Sequence, residues 1–184
     1  MTDGSVDNST PRFADAALAR AQGDYIATSV VNDVVSVCRP DEVVLEVAQC
    51  THPGFEFACV ATNRHLFLGV GPGQLDVVDL DLVTSVSALD DDTLPSAHSV
   101  EVRAMAAPLV WHGFGPRGVA RIVHAVEWVL GVHRQHRSND HRVPMPQVYQ
   151  FWRDTYRLAQ TSNLSGDAFD HYVDHTMSRV WSRQ

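Results

Sequence analysis

The chain contains no lysine. All 14 basic side chains are arginines, set against 22 aspartates and glutamates, for a formal net charge of −8. An arginine bias needs no functional cause, but the negative balance argues against nucleic acid, whose phosphates call for a basic excess. Cysteine is scarce: Cys38, Cys50 and Cys59 are odd in number and show no Cys-x-x-Cys spacing. They read as inert thiols in a reducing cytoplasm. Long apolar runs are missing too, with nothing near the roughly 18–20 residues that a membrane helix needs. The opening MTDGSVDNSTPRF is polar and acidic, without a basic segment followed by an apolar one, so no signal peptide is expected. These absences point to a cytoplasmic protein.

What is present fits a globular domain. The 184 residues are 45% hydrophobic and 20% charged, enough to bury a core. Charge is unevenly spread. Residues 1–112 hold 16 acidic side chains and 5 arginines, whereas residues 113–184 hold 9 arginines, 6 acidic side chains and six of the ten histidines. The body is acidic and the C-terminal section is mildly basic.

Along the chain, residues 1–10 have little to bury and read as a disordered leader. An alanine-rich helix is predicted over Phe13–Gln22, within an N-terminal helical segment spanning 11–40. Asp24–Cys38 carries Ile26, Val30, Val34 and Val37 at helical spacing, with Asp24 as a cap and Arg39-Pro40 as a stop. Its β-branched residues would also suit a strand; helix is the expectation. Strand candidates follow. Glu42–Cys50 places Val43, Leu45 and Val47 on one face. Phe55–Ala61 alternates Phe55, Phe57, Cys59 and Ala61 against Glu56, Ala58 and Val60. His65–Val70, Leu75–Leu80 and Leu82–Ala88 come next, joined by tight turns at Asn63-Arg64 and Gly71-Pro72-Gly73. Beyond an acidic loop at Leu89–Ala97, Ser99–Met105 turns Val100, Val102 and Ala104 inward, and Pro108–His112 completes seven strands. Their spacing predicts an antiparallel sandwich or barrel. Arg117–Gln135 then switches to helical period, with Val119, Ile122, Val123, Val126, Val129 and Leu130 on one stripe and Pro116 in the first turn.

Three pieces resemble the bacterial pleckstrin-homology (PH)-like domains: VNDVVSVCRPDEVVLEVAQC as helix, turn and first strand, the hairpin Ala61-Thr62-Asn63-Arg64-His65-Leu66-Phe67, and Asp79–Val86. His65 departs from the second basic residue usual in that hairpin. The resemblance spans about Val31–Gln135 and implies an α+β fold: a seven-stranded antiparallel bent sheet or barrel capped by a C-terminal amphipathic helix, with flanking N- and C-terminal helices. The PH-like domain is placed at 41–137 and a helical extension at 138–184, with helices over Gln147–Gln160 and Gly166–Ser182. The pattern of that extension resembles the helical hairpin that often follows bacterial PH-like domains.

Candidate chemistry is thin. Gly113-Phe114-Gly115-Pro116-Arg117-Gly118 fits G-x-G-x-x-G, but hairpin-type strands precede it and Pro116 removes an amide that would cradle phosphate, so it reads as a glycine-rich corner. An anion at the helix start beside Arg117 stays open. His171 and His175 stand at metal-capable helical spacing with Asp167 and Asp174 on the same face, without the Glu of HExxH or a third ligand fixed by sequence. His133, His136 and His141 form a looser cluster. Arg64 reads as a turn residue. The loop Thr51-His52-Pro53-Gly54 lacks the arginines that inositol-phosphate binding would use in a PH fold.

A helical wheel puts Trp128 opposite the core stripe, beside Arg117, Arg121 and His124. Left in water it would forfeit roughly 2–3 kcal/mol, so the C-terminal helices or a second subunit should cover it. That face, together with Arg134, Arg137 and Arg142, is the expected interaction surface. The expected function is a non-enzymatic module for protein interaction or self-assembly with no cofactor. The rivals are a peripheral anionic-lipid or small-anion binder and a metal-dependent enzyme using His171 and His175.

Overall fold

Strand β1 (Val44–Gln49) is shared by both layers of the molecule. Its burial is nearly continuous, which a strand reaches only when both of its faces are covered. A computed structural model describes residues 17, 18, 21, 25–39, 42–90, 97–104, 107–137, 168, 171, 172 and 175. Within them β1 pairs with β2 (Ala58–Thr62), β2 with β3 (His65–Gly71) and β3 with β4 (Gln74–Asp79), all antiparallel. A single turn of 3₁₀ helix (Leu80–Leu82) leads to a second antiparallel sheet, β5 (Val83–Asp90), β6 (His98–Ala104) and β7 (Pro108–Phe114). Helix α1 (Tyr25–Val37) precedes the sheets and helix α2 (Pro116–Arg137) follows them. The fold is α+β, with one four-stranded and one three-stranded sheet.

Two hydrophobic clusters hold these layers. Between the sheets, Leu45, Ala48, Cys59, Ala61, Leu66, Leu68, Val100, Val102, Trp111 and Phe114 meet Val119, Ile122, Val126, Val129 and Leu130 of α2. On the other side of the first sheet, Ala27, Val30, Val31 and Val34 of α1 cover Val44, Val47, Ala58, Val60 and Phe67. The buried stripe of α1 explains why its β-branched residues accept a helix: side chains of this size gain roughly 1.5–3 kcal/mol each on full burial, against a few tenths lost to helix propensity. Alternation along β2 and β3 is as predicted, with Cys59, Ala61, Leu66 and Leu68 facing one cluster and Ala58, Val60 and Phe67 the other. β2 itself starts later than expected, at Ala58, and β7 runs on to Phe114.

β1 corrects one expectation. Its partners step from Val44↔Thr62 to Glu46↔Ala61, so Leu45 is the extra residue of a β-bulge. Val43 and Leu45 face the cluster between the sheets, as the alternation predicts, but past the bulge Val47 turns to the α1 side and Ala48 takes the inner position. A barrel closed by continuous strand pairing does not form among the described residues. The two sheets touch at one corner, where an isolated bridge joins Cys50 to Phe114 and the Thr51 N–H donates to the Gly113 carbonyl at 3.1 Å. Gly113 has φ of +88°, and a Cβ on it would lie 2.9 Å from Cys50 Sγ, so only glycine lets the strands approach here. A Cβ on Gly118 would lie 3.0 Å from the Ala48 Cβ, so this glycine sets how closely α2 lies on β1. Two glycines of the G-x-G-x-x-G pattern thus have packing roles.

Of the outer segments, Ala17 and Leu18 are helical, and so are residues 168, 171, 172 and 175. The leader 1–10, the cap Asp24, most of the acidic loop, and the helix expected over Gln147–Gln160 lie outside the described residues. Among the described residues no helix is long and apolar enough to cross a membrane.

Candidate functional site

The outer face of α2 is not the open surface that its wheel implies. Trp128 is only 7% exposed and belongs to the cluster between the sheets. Its cover comes from within the chain, and Tyr172, from the segment expected to form the last helix, packs against the same cluster. Arg121 is likewise turned inward. Its Nε donates to Glu46 Oε1 at 3.3 Å, with the two side chains 9% and 1% exposed. The bulge explains the pair, since the slipped alternation points Glu46 at α2 instead of α1. A buried charge without a partner is costly, so Arg121 is held by that carboxylate. Arg117 is exposed at the start of α2 and His124 is half-buried. Arg134 and Arg137 lie in the last turns of α2, whose side chains are outside the described set, as is all of Arg142. The expected cluster of seven therefore splits, and two of its members belong to the core.

The family-like turn is a polar knot around a buried carboxylate. Thr62 Oγ1 donates to Glu42 Oε1 at 2.6 Å, and His65 Nδ1 lies 2.8 Å from the same oxygen. The Arg39 N–H donates to Glu42 Oε2 at 3.3 Å. Thr62 Oγ1 also accepts from the N–H groups of Arg64 and His65. Asn63 clamps the neighbouring chain, its Oδ1 accepting from the Val43 N–H and its own N–H donating to the Val43 carbonyl. Burial pushes the Glu42 carboxyl up, but the hydrogen bonds from Thr62, His65 and the Arg39 amide outweigh it and leave its pKa below the ordinary 4.5. His65, the departure from the family pattern, is thus the side chain that faces Glu42. Every group here satisfies another, so the arrangement fixes a hairpin and presents no reacting atom.

The remaining chemical candidates are structural or dispersed. Burial raises the pKa of Cys50 and of Cys59, which keeps both as thiols. Cys50 Sγ donates to the Gly113 carbonyl at 2.8 Å, and no disulfide joins the three cysteines. His171 and His175 are exposed and stack with ring centroids 6.2 Å apart. No group of three or more potential metal ligands occurs among the described residues; Asp167 and Asp174 lie outside them. His52, Phe55 and Phe57 of the β1–β2 loop and Phe114 of β7 form a chain of edge-to-face rings, which anchors the loop to the β7 corner.

The least expected surface is the free edge of the first sheet. β4 pairs with β3 on one side and with no strand on the other among the described residues. Val70, Val77, Leu82 and Leu89, from β3 to β5, are four of the eight large apolar side chains left exposed among the described residues. Residues 66–97 contain no arginine or histidine but six aspartates. Asp76 and Asp79 of β4 are exposed. The sequence signal was available in the joint run of aspartates and apolar residues, but only the strand order shows that it lies on an edge.

No protein-family model matches the chain, and no curated protein does. Among solved structures, it is similar to the pleckstrin homology domain from Shewanella amazonensis SB2B, with 12% sequence identity and a TM-score of 0.39, over 53% of this chain and 84% of that one.

Proposed function

We propose that the chain is a non-catalytic, PH-like module that binds another protein. The order of seven antiparallel strands followed by one amphipathic helix supports the architecture. The observation that carries the interaction reading is the apolar edge: Val77 on β4, Val70 near the end of β3 and Leu82 just past β4 are each about half exposed, and among the described residues no strand pairs with the outer side of β4. Isolated exposed apolar residues are ordinary, but a group of them along an open edge is a common feature of recognition surfaces. Binding moves from the outer face of α2, where Trp128 and Arg121 are inside, to this edge. The anionic-lipid reading is weaker, since residues 51–57 of the β1–β2 loop hold Glu56 and no arginine.

The test is affinity capture by the full chain and by a Val70→Ser/Val77→Ser/Leu82→Ser variant, with native mass measured for both. Loss of a captured protein in a variant of unchanged mass and far-UV circular dichroism supports the reading. Capture that is indifferent to the variant overturns it.

A further inference from the structure

We propose that β4 accepts a basic, extended segment of a partner protein as a fifth, antiparallel strand. This inference rests on the interaction reading above and names the partner's chemistry. The free side of β4 offers backbone groups, which any strand could use, so specificity must come from side chains. Reading backward from Asp79, the direction in which an antiparallel partner runs, β4 presents acidic, apolar, apolar, acidic, apolar: Asp79, Val78, Val77, Asp76, Leu75. Directly opposed residues of an antiparallel pair share a face. The register with β3 fixes those faces: Asp76 lies opposite Leu68, and Val77 opposite Phe67. The complementary strand therefore reads basic, apolar, apolar, basic, apolar.

Charge selects the occupant. A second copy of β4 in antiparallel pairing would bring Asp76 and Asp79 of both chains onto one short ladder, and like charges across a ladder are destabilising. His65, which lies opposite Asp79 in the register, is turned to Glu42, and residues 66–97 hold no arginine or histidine. A partner strand carrying arginine or lysine at the two matching positions replaces that repulsion by attraction, and apolar residues between them cover Val77. Asp79 also accepts a hydrogen bond from the Asp81 N–H at the 3₁₀ turn, so Asp76 is the cleaner position to change.

The probe is a labelled peptide, Gly-Arg-Val-Val-Arg-Val-Gly, titrated onto the full chain by fluorescence anisotropy. Controls carry glutamate for each arginine, or proline for the central valine, which removes a ladder donor. The arginine peptide is expected to bind about tenfold tighter than the glutamate peptide at low salt. Asp76→Lys should erase that preference, the proline peptide should fail to bind, and amide shifts in the wild-type chain should centre on residues 74–79. Equal binding of the two charged peptides, shifts centred elsewhere, or a dimer held by this edge would overturn the proposal. If the peptide fails while the valine and leucine variant still loses its captured protein, the strand-addition model falls and the interaction reading stands; if neither responds, both fall.

Discussion

The two ends of the first sheet solve the problem of an exposed strand in opposite ways. At the β1 end, a bridge from Cys50 to Phe114, the Gly113 carbonyl that accepts from both Thr51 N–H and Cys50 Sγ, and a run of aromatic rings tie the strand to β7. At the β4 end no strand pairs among the described residues, Val77 is half in water, and aspartates stand where a partner would. Stability is concentrated at one corner and accessible surface at the other. A binding edge need not cost the fold much when the sheet is anchored from its opposite side.

That contrast can be broken most forcefully at the closed corner. Phe114 is fully buried between the sheets, and Phe114→Ala should destabilise the protein by about 3–5 kcal/mol, measured by urea unfolding. Gly113→Ala comes next. Its left-handed backbone and the approach of Cys50 Sγ should together cost about 2–3 kcal/mol, and Cys50→Ala in the same chain should recover part of that loss by removing the sulfur. A smaller effect is expected from pH. Because the folded-state pKa of Glu42 is depressed, its stabilisation is complete above the unfolded value near 4.5 and is lost as pH falls through the lower folded value. The acid limb of an unfolding-midpoint profile should flatten in Glu42→Gln, even though that variant is less stable at neutral pH. Least of all should come from the open edge: Val77→Ser should change stability by no more than about 0.5 kcal/mol while weakening partner capture. A large loss of stability there would mean that the edge belongs to the core.

How much of this was legible beforehand depended on whether the signal was periodic. β2, β3, β6 and the stripe of α2 repeat at two or 3.6 residues, and the sequence placed them with boundaries a few residues off. β1 was misread past Leu45 because a bulge breaks its period without leaving a glycine or proline to mark it. The knot at Glu42 was invisible for another reason: its members Glu42, Thr62 and His65 are joined only when the hairpin folds back on the lead-in, and neither Thr62 nor His65 is near Glu42 in the chain. That Trp128 needs cover was legible from its place on the wheel, and it is buried; Arg121 was assigned to a surface because a wheel sees one helix at a time. It cannot show that a slipped strand would supply Glu46 to the arginine.

The bulge at Leu45 also bears on how such a chain can change length over generations. Removing that one residue would restore an uninterrupted ladder with β2, and by local criteria the strand would be improved. With Val44 already facing α1 and Glu46 facing α2, the shortened strand would alternate without a slip and every remaining side chain would keep its side, so what is lost is the buried Leu45 side chain in the cluster between the sheets. A single-codon deletion at Leu45 therefore costs packing and leaves the register intact, whereas one at Val47 would turn either Glu46 or Ala48 to the wrong face, so changes of length in β1 are tolerated at the bulge and excluded beyond it.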